Sequence, residues 1–336
     1  MERKTGFGKR RVLWICGLFM ALFIAFSVTG VQAQAAKLPA LSVKGTKIVN
    51  SKGKTVQLKG VSTHGLSWFP EYVNKIAFTY MKKNWKINTV RLAMYTAEYN
   101  GYCTGDAANR KKLIQTVDKG VKAATEAGMY VIIDWHILSD GNPNTYKKQS
   151  LAFFKRMAKK YKSYTNVLYE ICNEPNGGTS WSTIKSYART IIKGIRGYDK
   201  KAIIIVGTPN WSQDVDVAAQ NPITISKNIM YSLHFYAGTH KEWLRQKAQT
   251  ALDKGLPIFV TEFAICDASG NGSLDKAEGE KWMSFLKKNK ISYMAWNLSN
   301  KNETSSLIRP AVKKTANWKN TQLTNWGKWL IKKFKS

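Results

Sequence analysis

The chain has 336 residues, 44% hydrophobic and 22% charged, with 8 prolines and 4 cysteines. Those figures exclude a disordered tail, a collagen-like repeat and a disulfide-stapled miniprotein, each of which needs a far more biased composition. Lysine and arginine (53) outnumber aspartate and glutamate (21), a net charge of +32 that favours solubility and association with polyanions and leaves the fold open.

The N-terminus reads as an address. Lys9-Arg10-Arg11 precedes an apolar run from Val12 to Val28, and Val31-Gln32-Ala33-Gln34-Ala35 then offers two small-x-small cleavage sites. This order predicts a secretory signal peptide over residues 1–35 and a secreted, extracellular product. The alternative is a retained membrane anchor, since the run approaches spanning length, but small-residue cleavage sites are foreign to a stop-transfer helix. Cleavage after Ala35 removes Cys16, five basic residues and one acidic residue, leaving a charge of +28 and three cysteines, Cys103, Cys172 and Cys266. An odd count allows at most one disulfide. With no CxxC pair and no histidine at zinc-finger spacing, a metal site is not expected, and all three read as small buried hydrophobes.

From Leu41 to Val56 the sequence predicts a hairpin turning at Ser51-Lys52-Gly53. Eight apolar runs follow: Gln57–Ser62, Thr89–Met94, Tyr130–Trp135, Val167–Ile171, Ala202–Val206, Ile229–Phe235, Pro257–Thr261 and Ser292–Trp296. Most are unbroken and β-branched, as in Val131-Ile132-Ile133 and Ile203-Ile204-Ile205-Val206, which suits strands buried on both faces. Helical patterns lie between them at Asn109–Ala127, Tyr146–Tyr161, Ser182–Arg196, Lys241–Lys254 and Lys276–Lys288, with Gly128 and Gly255 placed for left-handed C-caps. A short helix near Asp214–Gln220 follows the fifth strand, and Leu323–Phe334 would close the ring. Strand–helix alternation over about 300 residues predicts a (β/α)8 TIM barrel, with residues 36–336 as one catalytic domain carrying a small N-terminal β-hairpin.

Such barrels carry their chemistry at the C-terminal ends of the strands. In strand order those ends bring His64 and Trp68; Arg91 and Tyr95; Asp134 and His136; Glu170, Asn173 and Glu174; Trp211; His234, Tyr236 and His240; Glu262; and Trp296, Lys301 and Glu303. Singly, an aromatic residue here is core packing, a glutamate a surface ion pair and a histidine structural. Together they place polar and aromatic groups on one rim, as a sugar-binding cleft requires. Strands four and seven face each other across an eight-stranded barrel, so Glu174 and Glu262, 88 residues apart in sequence, can meet. Retaining glycoside hydrolysis needs two carboxyl groups about 5 Å apart. Arg91 is suited to hold one of them ionised.

The strings LKGVSTHGLSWF, RLAMYTAE, VIIDWHILSDGNPN, NVLYEICNEPNG, WSQDV, YSLHFYAGTH, IFVTEF and WNLSNKNETSS run in order from near Leu41 onward. On these blocks the chain resembles glycoside hydrolase family 5, of the bacterial endo-β-1,4-glucanase (cellulase) type. The resemblance implies that Glu174 is the general acid/base and Glu262 the nucleophile of a double displacement. It further implies that Asn173 binds the sugar 2-hydroxyl, that Arg91 and Tyr236 hold the nucleophile's charge, and that His136 and His234 line the reacting subsite. Trp296 would be its stacking platform. Trp68, Lys301 and Glu303 would contact the glycone, Trp211 and His240 the leaving group, and His64 and Tyr95 the reacting ring. Glu170 and Asp134 are read as structural.

The chain departs from the family's usual run after the nucleophile, with Phe263-Ala264-Ile265-Cys266, and has Cys172 where a small residue is usual. The expected partner is a β-glucan polysaccharide, acted on by a monomer with no cofactor, no metal, no nucleic acid and no membrane after signal cleavage. Other activities of the family (mannanase, lichenase, xyloglucanase) and a non-enzymatic, basic glycan- or polyanion-binding role are the alternatives. Against the last, the lysine pairs are spread along the helices as a solvated outer ring.

Overall fold

The computed structural model describes Met1 and residues 38–336, so the predicted signal segment lies outside the described residues. Two antiparallel strands open the fold, β1 (Leu41–Lys44) and β2 (Lys47–Asn50). Their turn is at Gly45-Thr46, with Gly45 at φ 56°, and not at the expected Ser51-Lys52-Gly53. That second stretch is a turn of its own, after which Thr55 returns to bridge Val49. Gly45 offers the left-handed backbone that a two-residue connection needs, so the nearer turn closes the hairpin.

Eight parallel strands then close a barrel: β3 (Lys59–Thr63), β4 (Thr89–Tyr95), β5 (Tyr130–His136), β6 (Val167–Glu170), β7 (Ile204–Val206), β8 (Ile229–Tyr236), β9 (Ile258–Ala264) and β10 (Ser292–Leu298), with β10 pairing back onto β3. A helix follows each strand on the outside, and the apolar layer between strands and helices forms the larger core cluster. A second cluster fills the lower interior with Leu58, Tyr130, Ile132, Leu168, Ile205, Met230, Phe259 and Met294. The hairpin residues Ile48, Leu41 and Val43 pack on it from below, so β1 and β2 plug the N-terminal end of the barrel. Gly128 and Gly255 take φ of 65° and 79° after their helices, as their positions predict.

The sequence patterns missed the helix Lys75–Trp85, which follows β3. Asn74 caps it by accepting from Ala77 N at 2.7 Å, and Ala77, Phe78, Met81 and Trp85 form its buried face. Ile76, exposed on the other side, blurs the apolar stripe in the sequence.

Two strand ends and one bulge differ from expectation in ways that build the rim. β9 runs on to Ala264, so Glu262 lies inside the strand and not after it. β6 stops at Glu170, so Glu174 stands four residues beyond its end. β9 also carries one extra residue: Val260–Phe263 spans what Tyr293–Ala295 spans on β10, and Phe259–Glu262 spans what Ser232–His234 spans on β8. A bulge of this kind breaks the two-residue alternation and re-aims side chains. It allows the consecutive Thr261 and Glu262 both to reach the polar cluster inside the rim.

Candidate active site

Arg91 organises the centre from mid-β4, where alternation points it into the barrel. Its guanidinium, with no exposed surface, donates from Nε to Glu170 Oε2 (2.7 Å), from Nη1 to Glu262 Oε2 (3.2 Å) and from Nη2 to Asn173 Oδ1 (2.6 Å), with Asp134 Oδ2 at 3.1 Å. Burial alone would raise the Glu170 carboxyl, but the charge of Arg91 and the hydrogen bonds around it bring its pKa down to about 2. Asp134 sits well above the usual carboxylate range because burial outweighs Arg91.

Glu262 receives two donors, Arg91 on Oε2 and Tyr236 Oη on Oε1 at 2.7 Å. Its pKa lies above the ordinary value, first through burial and then through repulsion by Glu174, with His234 and Arg91 pulling the other way. Glu174, Glu262 and His234 each present an atom within 4.8 Å of the others. Such a trio could ligate a cation, but both oxygens of Glu262 are already engaged by donors, which favours an organic occupant over an ion.

The tautomer of His234 follows from its neighbours. Thr261 Oγ1 donates to Glu170 Oε1 (2.6 Å), an acceptor-only carboxylate, so its lone pairs face His234 Nε2 (2.9 Å) and that nitrogen carries hydrogen. The other nitrogen, Nδ1, lies 2.8 Å from Glu174 Oε1, and one proton joins the two. Burial would lower the imidazole pKa, but hydrogen bonding toward Glu170 and Glu174 and the charge of Glu262 raise it to about 9.

Beyond β6, the Glu174 segment is tied down by Asn173 N to Trp135 O (3.1 Å), Ser212 Oγ to Asn173 O (2.6 Å) and Asn176 Nδ2 to Glu174 O (2.9 Å). Asn173 is fully buried: Arg91 takes its Oδ1 and Ile137 O one amide hydrogen (3.0 Å), which leaves one hydrogen free.

A cavity of about 720 Å³ lies over this centre. Twelve of the fifteen expected site residues line it: His64, Tyr95, His136, Glu174, Trp211, His234, Tyr236, His240, Glu262, Trp296, Lys301 and Glu303. Arg91 and Asn173 lie beneath its floor, and Trp68 stands beside it. The half-buried Trp68 indole packs on Tyr95 (4.6 Å between centroids) and His64 (5.6 Å), both of which line the cavity, and donates from Nε1 to Tyr99 O (3.0 Å). Trp296 stacks near-parallel to His136 (5.3 Å), and the Trp296–Asn297 peptide is cis. Glu303 joins Asn297 Nδ2 (2.7 Å) and Lys301 Nζ (2.5 Å) on one side. Trp211 stands 44% exposed on the other, in a tight turn whose residues Asn210, Trp211 and Ser212 all have positive φ.

His64 and His136 are held neutral, with pKa values lowered to about 3 and about 4 by burial and neighbouring positive charge, and burial likewise lowers His240 to about 4. Sequence reasoning overlooked Thr261, which only the β9 bulge turns inward, and Trp243, three residues after His240 in the first turn of helix Glu242–Asp253.

An eight-stranded parallel barrel whose β6 and β9 ends bring two carboxylates to within one sugar bond of each other defines a (β/α)8 glycoside hydrolase. The profile of the cellulases, glycosyl hydrolase family 5, matches residues 49–302, and the chain belongs to that family. It is 45% identical to an endoglucanase of Clostridium saccharobutylicum over 98% of this chain and 73% of the relative. It is also 45% identical to endoglucanase A of Butyrivibrio fibrisolvens, over 87% of this chain and 67% of that protein. Among solved structures, the cellulase Cel5C_n superposes with a TM-score of 0.86 at 41% identity, covering 91% of this chain and 95% of that one.

Proposed function

We propose that the protein is a secreted, retaining endo-β-1,4-glucanase acting on cellulose-type β-glucans. The observation that carries this reading is the approach of Glu174 and Glu262 to within 4.8 Å, the spacing of a double displacement and too short to seat a water between acid and base. The relatives' names, endoglucanase in each case cited, supply the substrate class.

In the proposed mechanism Glu262 attacks the anomeric carbon while Glu174 hands a proton to the leaving oxygen. Glu174 then removes a proton from water as the glycosyl-enzyme breaks down. Arg91 and Tyr236 orient the attacking carboxylate, and His234 Nδ1 shares the proton that Glu174 cycles. Trp296 offers the reacting sugar an indole face, and Trp211 does so for the departing chain.

The test is a panel of carboxymethylcellulose, lichenan, mannan and xylan. Viscosity of the first should fall before reducing ends accumulate, and NMR of the earliest product should show the β-anomer. A first-formed α-anomer would exclude retention, and preference for mannan or xylan would move the substrate assignment within the family. For secretion, the protein recovered from culture medium should begin at Ala36.

A further inference from the structure

Among the described residues, the lysines and arginines other than Arg91 and Lys301 have no part in the catalytic site, and many stand at the far end of the barrel. The last turns of five helices carry lysine or arginine: Lys82 and Lys83, Lys159 and Lys160, Lys193 and Arg196, Lys287 and Lys288, and the C-terminal Lys332, Lys333 and Lys335. Because each helix runs antiparallel to its strand, all of these ends lie at the N-terminal face of the barrel, opposite the carboxylates. Compensation of helix dipoles accounts for charges in last turns. It does not account for lysines in the loops beyond them.

Three successive helix-to-strand loops on this face carry Lys200 and Lys201, Lys227, and Lys254. All four are exposed, and among the described residues none pairs with a carboxylate. They border a cleft of about 570 Å³, which is also lined by the hairpin at Ser42 and Val43 and by the start of β8, and among the described residues no acidic side chain stands in its wall. Farther round the same face, Lys59 and Lys47 stand close enough to Lys287 and Lys290 that, after burial, repulsion from these neighbours lowers their pKa. Asp199, which accepts from Lys201 N (3.1 Å), and Asp253 adjoin these loops, but two carboxylates against four lysines leave an excess of like charge around the concavity, which costs free energy unless counter-ions gather there.

We infer that this N-terminal face is a docking surface for a flexible linear polyanion, one bearing a phosphate or carboxylate on each repeating unit, with the cleft between Lys200, Lys201, Lys227 and Lys254 as its centre. A linear polymer fits better than a bilayer, because a flat headgroup plane cannot follow a concave cleft. It fits better than a nucleic acid because the cleft's one aromatic residue, Tyr231, is buried with its hydroxyl tied to Ile223 N (2.6 Å), which leaves no stacking platform. Binding there leaves the catalytic cleft, at the other end of the barrel, open to substrate. This inference stands apart from the catalytic proposal.

The test is fluorescence titration of the protein with long-chain inorganic polyphosphate and with polygalacturonate, between about 50 and about 200 mM salt. Binding of either polymer supports the surface, and their ratio tells whether phosphate or carboxylate is preferred. The variant K200E/K201E/K227E/K254E should bind at least about tenfold more weakly and flatten the slope of log K against log salt by about 3. Its turnover on lichenan, a neutral polymer, should not change. The control K111E/K112E/K119E/K148E alters net charge equally on the barrel's outer flank and should retain binding. If the glutamate variant fails to fold, the four corresponding glutamines (K200Q/K201Q/K227Q/K254Q) serve instead. Equal weakening in both variant sets would reduce the effect to net charge and overturn the inference. So would failure of the wild type to bind either polymer, or tighter binding to anionic vesicles or duplex DNA.

Discussion

At the level of single residues, the two glutamates are chemically alike, and their surroundings separate them. Glu262 accepts from Arg91 and Tyr236 and is poised as an anion, whereas Glu174 faces a histidine nitrogen with which it shares a proton. The proposed roles predict opposite stereochemistry on rescue. With an activated aryl cellobioside and azide, Glu174→Ala should yield the β-glycosyl azide, by attack on the glycosyl-enzyme. Glu262→Ala should yield the α-azide, by a single inversion, and each variant without azide should lose about 10²–10⁴-fold or more in turnover. Both glutamates were legible in the sequence because they stand at or just beyond the C-terminal ends of buried apolar runs that alternate with helices. The partner that sets the histidine's tautomer, Thr261, was not, because a hydroxyl in a strand carries no sign of which way it points.

Among the secondary-structure elements, irregularities place the chemistry. The extra residue in β9 turns two neighbours toward the rim, and the early end of β6 hands Glu174 to a loop braced by its own backbone hydrogen bonds. Gly207, just past β7, is where that loop passes closest: a Cβ there would lie 2.4 Å from Cys172 O, 2.8 Å from Pro175 Cδ and 3.0 Å from Asn173 O. Gly207→Ala must therefore displace the backbone that carries the acid/base. It should cost about 1–3 kcal/mol of stability in urea unfolding, and kcat on lichenan should fall more than KM changes. Strand positions could be read from β-branched runs, but the bulge could not, since it is defined by pairing with β8 and β10.

For the whole molecule, burial of three histidines and the carboxylate partners of a fourth make stability depend on pH from both sides. His64, His136 and His240 have folded pKa values of about 3, 4 and 4 against an ordinary 6.5, so their contribution is present above 6.5 and is lost as pH falls toward 4. Glu170, at about 2, adds a loss as pH falls below the ordinary carboxylate value of 4.5. His234 has the opposite sign: raised to about 9, it stabilises fully below 6.5 and ceases to as pH rises through 9. Tm measured from pH 4 to 10 should peak near pH 6.5, and His234→Asn should flatten the alkaline side. A Tm that rises steadily to pH 10 would show that His234 is not held protonated. None of these shifts is visible in a sequence, because each arises from neighbours brought in by other strands.

The sequence by itself determined the barrel, the strand order and the family, because β-branched runs, amphipathic helices and motif blocks are local properties that survive without coordinates. It also placed twelve lining residues correctly at the rim, since strand ends in this fold share one face. Only the tertiary structure decided that Trp68 packs on Tyr95, that Asn173 and Arg91 lie under the floor, and that the loop lysines gather opposite the carboxylates. These outcomes depend on the closure of β10 onto β3, which sets distances between residues far apart in the chain and so fixes which charges meet.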